Sequence, residues 1–358
     1  MDRETALLVF TLYFFCAVFF STLINGLFLR FTHTLGIRNH PEEIIRWSPK
    51  AKPSIGGISF YIVFLFSITS YFFIFRDIGL TTNIEFLGML LACTVAFLMG
   101  LADDAYNTKP LLKLLVQVFC AVILIWSGIY IKVSPNEALN YTLTVFWVVG
   151  IMNSINMLDN MDGIATTVSI YIIFAAIATM LIRHSKNDLY FTILTGVVAS
   201  LIGFLKFNWH PSKMFMGDTG SQFLGAFLAI IGIEFFWNGK DVAELVIQTK
   251  QIASVILVFL LPLCDTSNVF IRRLLKGKSP FIGGKDHTTH HLVYAGLSEK
   301  QVAGVFTLLS VISVSLMILI QFIPDWNLIY FSLVCLYALL VFIVLLRVTI
   351  KYQNTLEK

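Results

Sequence analysis

TALLVFTLYFFCAVFFSTLINGLFL, residues Thr5 to Leu29, carries no Asp, Glu, Lys or Arg and is long enough to cross the hydrocarbon core of a bilayer as one helix. It is too long for the apolar core of a signal peptide, and no small-residue cleavage site follows it, so a retained first membrane helix is expected. Runs of the same character recur at about 54–75, 84–102, 113–131, 141–158, 164–182, 190–206, 219–236, 252–270, 301–322 and 327–347. The reading is an all-α, polytopic integral membrane protein of eleven transmembrane helices, or ten if two closely spaced runs are one. Composition agrees: 57% of the 358 residues are hydrophobic and 13% charged, with a mean hydropathy of +0.82. Soluble domains carry about 25% charged residues, so lipid has to cover much of this surface.

Most of the Lys and Arg, among them Arg30, Arg46, Lys50, Lys52, Lys113, Lys213, Arg272, Arg273 and Lys285, fall in alternate loops, whereas few, such as Arg76, Lys132 and Lys240, fall in the others. The positive-inside rule then sets the N-terminus outside and the C-terminus in the cytoplasm. The unusually polar loops, 30–53, 103–112, 159–163, 207–218 and 271–300, all share the basic side. No internal repeat or low-complexity tract breaks the chain, so residues 1–358 are taken as one domain. No basic stripe interleaved with aromatics is present, which argues against a nucleic-acid partner. The five cysteines lie in or beside apolar runs with no metal or redox spacing.

The polar loops carry the chemistry. Gly100-Leu101-Ala102-Asp103-Asp104 closes the third run. Two carboxylates at a helix C-terminus oppose its dipole, so a cation or a basic side chain such as Lys113 is expected beside them. In Asn153-Ser154-Ile155-Asn156-Met157-Leu158-Asp159-Asn160-Met161-Asp162-Gly163, polar groups recur at every third residue. Such steps drift around a helix, which predicts a break near Asp159 or Asp162 with Gly163 in the turn. Polar groups at membrane depth are costly and commonly line a site. Phe215-Met216-Gly217-Asp218-Thr219-Gly220-Ser221 opens the eighth run with Asp218 as its expected N-cap. A glycine-flanked helix start also suits phosphate, with Mg²⁺ between phosphate and Asp218.

Lys285-Asp286-His287-Thr288-Thr289-His290-His291 sits in a loop rich in Lys and Arg. The His287/His291 spacing invites a zinc hydrolase, but no Glu stands where that motif needs one and no thiolate is near. A basic loop whose imidazoles donate to polyphosphate oxygens fits better. Lys50, Lys52, Gly56 and Gly57 add a weaker loop signal. An ion- or proton-coupled transporter is the competing class. It calls for polar groups near mid-membrane in two repeated halves, whereas these motifs gather at one interface.

These four motifs in this order resemble the polyprenyl-phosphate N-acetylhexosamine-1-phosphate transferases (glycosyltransferase family 4), over about residues 46 to 297. The loop Ser279-Pro280-Phe281 and the helix count look more like the UDP-N-acetylglucosamine:undecaprenyl-phosphate branch. The muramoyl-pentapeptide branch carries three consecutive histidines, where Thr288 and Thr289 intervene here. The resemblance implies transfer of N-acetylhexosamine-1-phosphate, N-acetylglucosamine first among the sugars, from a UDP-sugar to undecaprenyl phosphate. That is the first membrane step of a cell-surface polysaccharide such as cell wall or O-antigen. It implies Mg²⁺, with Mn²⁺ able to stand in, and a bacterial inner-membrane enzyme with its site on the cytoplasmic face, as monomer or homodimer. By motif position, Asp218 would be the principal metal ligand, helped by Asn156. Asp103 would take the proton from the lipid phosphate, and Asp104 and Asp159 would support the metal-phosphate site. Asp162 and Phe215 would meet the uracil. Lys50, Lys113, Asn153, His287, His290 and His291 would surround the phosphates and sugar.

Overall fold

The computed structural model describes residues 3–31, 52–183, 188–241, 245–277, 284 and 286–352. Thirteen α-helices run in order among them: α1 Arg3–Phe31, α2 Gly56–Phe75, α3 Ile84–Tyr106, α4 Pro110–Trp126, α5 Glu137–Leu158, α6 Ile164–Ile182, α7 Asp188–Asn208, α8 Gly217–Ile231, α9 Gln248–Val258, α10 Leu260–Leu275, α11 Thr288–Tyr294, α12 Glu299–Gln321 and α13 Leu328–Lys351. A π-helical turn, Gly232–Trp237, extends α8. The described residues form no β-strand, and the isolated bridge Ser54–Phe215 is their one strand-like pairing. A bundle of helices satisfies its backbone within each segment, as a lipid-embedded chain must.

Nine of these helices are long and apolar enough to cross a membrane. The eleven expected runs differ at two places. The run expected at 252–270 is two helices, α9 and α10, bent by 73° at Phe259. Pro262 has no N–H for the carbonyl of Val258 and its ring crowds that oxygen, so one straight helix cannot pass this point. The run expected at 113–131 is the shorter α4, which starts on Pro110 and stops before Ser127 and Gly128.

At the centre stands α8, packed on α2, α3 and α5, while α1 and α13 keep mostly exposed outer faces. Lipid is as apolar as these side chains, so small residues that let backbones approach, rather than water exclusion, hold such helices together. Gly225 of α8 does this against α5, where an added Cβ would lie 2.6 Å from Met152 Cα. Close packing around α8 matters for chemistry because its first turn carries Asp218.

Candidate active site

The two carboxylates that close α3 face different ways. Asp104 accepts hydrogen bonds from Asp218 N (3.0 Å), Thr219 N (2.8 Å) and Thr219 Oγ1 (2.6 Å). It therefore caps α8 from a neighbouring helix, where the positive end of that helix dipole offsets its charge. The expectation that Asp218 is itself the N-cap is corrected: α8 begins at Gly217, with Met216 at the cap position. Because Asp104 satisfies the orphan N–H groups, the Asp218 side chain is released for other work. Asp104→Ala would leave two backbone donors and a hydroxyl without their acceptor. It should lower stability by about 2 kcal/mol, read as a drop in thermal midpoint of the detergent-solubilised protein.

Asp103 meets Lys113 of α4, whose Nζ lies 2.6 Å from Asp103 Oδ2 and 3.3 Å from Asp218 Oδ1. The basic side chain expected beside the paired aspartates is present. Thr108 N also donates to Asp103 Oδ1 (2.9 Å), as does its hydroxyl. Asn156 of α5 donates from Nδ2 to Asp218 Oδ1 and to Ser221 Oγ (2.8 Å). Four side chains from α3, α4, α5 and α8 thus converge, and α3 comes this close because Gly100 rests on the Asp218 backbone. An added Cβ there would lie 2.3 Å from Asp218 O. Asp218 is the most open of the three charged groups, with 31% of its side chain exposed against 7% for Asp103 and 19% for Lys113. Asn153 lies a turn behind, exchanging hydrogen bonds with Gln117, which also donates to Gln222. Asn153 therefore ties α5 to α4 and, through Gln117, to α8. As expected, α5 ends in this motif: half-buried Asp159 is its C-cap, and Gly163 follows with φ +75° before α6.

A second cluster gathers around buried Asp162. Ser212 donates to it from Oγ (2.6 Å) and N (2.9 Å), His210 Nδ1 lies 3.2 Å away, and Lys52 Nζ 3.5 Å away. Glu299, opening α12, reaches His210 Nδ1 at 2.9 Å. The ligand-type atoms of Asp162, His210 and Glu299 lie within 4.8 Å of one another, but Lys52 already supplies a cation to Asp162. Lys52 Nζ also lies 5.0 Å from the centroid of the Phe215 ring. The strip carrying half-buried Phe215 is pinned by Phe215 N to Pro53 O (2.9 Å) and by Gly57 N to Met216 O (2.9 Å). Lys50 lies outside the described residues, as do Lys285 and Ser279-Pro280-Phe281; Lys52 is the described lysine of that loop that reaches the cluster.

The histidine segment folds as α11, with His287 at its N-cap. Asp265, buried on α10, accepts from Thr288 N (2.8 Å), and its other oxygen lies 3.0 Å from His287 Nδ1. Thr289 Oγ1 donates to Asn160 Oδ1 (2.5 Å), and His290 Nε2 lies 3.4 Å from Asn160 O, which ties α11 to the end of α5. Arg273 grips Asp286 through Nε (2.9 Å), and Arg272 lies 3.0 Å from His291 Nε2. Burial, then the neighbouring His287, pushes the His290 imidazole down to about 4. Burial, then the Arg272 guanidinium, does the same to His291, also to about 4. Near neutral pH these two rings are therefore uncharged, and each can offer a single N–H to a phosphate oxygen. Arg272 beside His291 Nε2 also opposes any zinc ion shared with His287.

Asp265 and His210 are among the participants that the sequence reading does not single out. Asp265 carried a signal, a lone carboxylate in an apolar run, where charge is expensive and commonly functional. His210 carried none, because its partners are distant in the chain.

The family model described as "Glycosyl transferase family 4" matches residues 86–236, from α3 through the π-helical turn after α8. The chain is 30% identical over 260 residues to a "Probable undecaprenyl-phosphate N-acetylglucosaminyl 1-phosphate transferase" of Bacillus subtilis, covering 70% of this chain and 68% of the relative. It is 28% identical over 303 residues to an "Undecaprenyl-phosphate alpha-N-acetylglucosaminyl 1-phosphate transferase" of Thermotoga maritima, covering 84% of each. A protein of the same description from Escherichia coli is 26% identical over 294 residues, covering 76% of this chain and 75% of the relative.

Proposed function

The chain belongs to glycosyl transferase family 4, in its polyprenyl-phosphate N-acetylhexosamine-1-phosphate transferase branch, and from that premise we propose a specific reaction. A UDP-N-acetylhexosamine, N-acetylglucosamine first, gives its sugar-1-phosphate to undecaprenyl phosphate, leaving undecaprenyl-diphospho-sugar and UMP. The reaction starts a surface polysaccharide at the cytoplasmic face of a bacterial inner membrane, in a protein whose nine long helices make eleven spans once α4 and the bent α9–α10 pair each cross, with its N-terminus outside. The observation that carries this reading is the meeting of Asp103, Lys113, Asn156 and Asp218 from four helices.

The residues suit a magnesium ion. Mg²⁺ takes oxygen donors, typically one or two carboxylates plus substrate phosphates. Asp218 is a partly open carboxylate beside a second one, in a place that already stabilises the ammonium of Lys113. Asp218 would hold the ion, with Asn156 orienting its carboxylate. When bound, the ion neutralises diphosphate charge and so lets an anionic acceptor approach.

The rest falls to the chain's own groups. An oxygen of the lipid phosphate attacks the phosphorus that bears the sugar, the P–O–P bridge breaks, and UMP departs with the bridging oxygen. Such transfers need positioning and charge neutralisation more than covalent help from the protein. Lys113 supplies positive charge between the two phosphates, and Asp103 accepts the proton if the lipid phosphate arrives protonated. Phe215 offers a face for the uracil, with Lys52 and Asp162 at its rim and Lys50 in the same loop. His287, His290 and His291 flank the sugar and diphosphate, and Asp159 and Asn153 support the turn that carries Asn156.

Purified protein incubated with undecaprenyl phosphate and a panel of UDP-sugars tests the proposal. UMP should be released only when both substrates and Mg²⁺ are present, and the lipid product's mass should identify one preferred N-acetylhexosamine. UMP release without the lipid, or no lipid product from any UDP-N-acetylhexosamine, would overturn it.

A further inference from the structure

Asp265 is 1% exposed on α10, inside a run of apolar residues, and the reaction above leaves it without a task. A carboxylate so enclosed costs several kcal/mol unless paired. Its partners are His287, with Nδ1 at 3.0 Å on one oxygen, and Thr288, whose N donates to the other at 2.8 Å and whose hydroxyl also bonds to the carboxylate. An ionised carboxylate can only accept, so the His287 proton resides on Nδ1. That leaves Nε2 as the working nitrogen of the ring, and among the described residues no protein group bonds to it. The other two imidazoles are held differently, His290 at the Asn160 carbonyl and His291 at Arg272.

We infer that Asp265 is a positioning residue for the transfer reaction: it fixes the Nδ1–H tautomer of His287 and aims Nε2 at the sugar-diphosphate donor. The inference rests on the proposed transferase activity. A ring nitrogen oriented by a carboxylate behind it is a recurrent way to set both tautomer and direction. The bland alternative is that Asp265 merely caps α11 through Thr288 N.

Two substitutions separate these roles, measured against wild-type protein that first shows UMP release; a wild type without that activity fails the functional reading, not this one. Asp265→Asn keeps the shape and can keep an oxygen on Thr288 N. Its amide N–H then faces His287, which moves the ring proton to Nε2. The expected result is an unchanged melting temperature, a KM for UDP-sugar within about 3-fold and a kcat lower by about 100-fold or more, the scale of a lost acid–base or orienting group. In a His287→Gln background, Asp265→Asn should cost nothing further. Thr288→Pro removes the backbone capping donor, and with it the Thr288 hydroxyl that lies against Asp265 and Asn268, but leaves the Asp265–His287 pair in place. The backbone accommodates it, because proline is favoured at the first position of a helix and His287 already has φ −72° and ψ 156°, as a residue before proline requires. Thr288→Pro should keep kcat within a few-fold. Loss of kcat in Thr288→Pro matching that in Asp265→Asn, or full additivity with His287→Gln, would overturn the inference. If Asp265→Asn does not fold, the retained or lost kcat of Thr288→Pro still decides.

Discussion

Asp218→Asn should abolish UMP release, lowering kcat/KM by at least about 1,000-fold, on the order of 4 kcal/mol of transition-state stabilisation, while leaving the protein folded. Both halves follow from how α8 begins. Its first-turn N–H groups are satisfied by Asp104, which uses the backbone of Asp218 and not its side chain. The amide is nearly the same size as the carboxylate and can still receive the Asn156 hydrogen bond, so the packing of α5 on α8 is kept. What disappears is one negative charge at the open end of the Asp103–Lys113–Asp218 row. An ion bridging protein and diphosphate depends on that charge. The measurement is the rate of UMP release alongside a thermal melt of the same preparation. A well-folded Asp218→Asn that turns over within a few-fold of wild type would remove Asp218 from its proposed role.

The second large effect is expected at a residue with no reactive group. Gly57→Ala should cost more than about 3 kcal/mol and sharply reduce the yield of folded protein. An added Cβ would lie 2.1 Å from Gly220 N and 2.2 Å from Gly220 Cα. Both are backbone atoms of α8, so no side-chain rotation relieves the clash. The hydrogen bond from Gly57 N to Met216 O (2.9 Å) shows how close α2 and the start of α8 stand. Pushing them apart would also move Asp218. Gly150→Ala on α5 is the control, because an added Cβ there has nothing within 4 Å. It should be neutral or stabilising by up to about 1 kcal/mol, since alanine favours a helix over glycine. Equal melting temperatures for the two variants would show that the α2–α8 contact yields more readily than its backbone spacing implies.

Much of the site is legible in the sequence. Asp103, Asn156, Asp162 and Asp218 stood out because polar groups beside long apolar runs are rare and costly. Lys113, the basic side chain expected beside the aspartates, lies between Asp103 and Asp218. What could not be read was which group faces which. Asp104 sits next to Asp103 in sequence, yet one caps α8 and the other holds Lys113. Successive residues on a helix point about 100° apart, and only the neighbouring helices decide what each direction meets. The missing carboxylate of the histidine segment, Asp265, needed the fold of α10 against α11 to be seen as a partner of His287.

The sequence by itself determined that the chain is a helical membrane protein, where its long apolar segments lie, and which short motifs carry the reactive groups. Those properties are local: hydropathy over about twenty residues and the identity of side chains at fixed spacing. The tertiary structure alone decided that Asp104 releases Asp218 from capping, that α9 and α10 meet at a bend, and that His290 and His291 are uncharged near neutral pH. Each depends on contacts between segments far apart in the chain, such as Asp104 with Thr219, or on burial among them. A one-dimensional pattern holds no record of which helix packs against which.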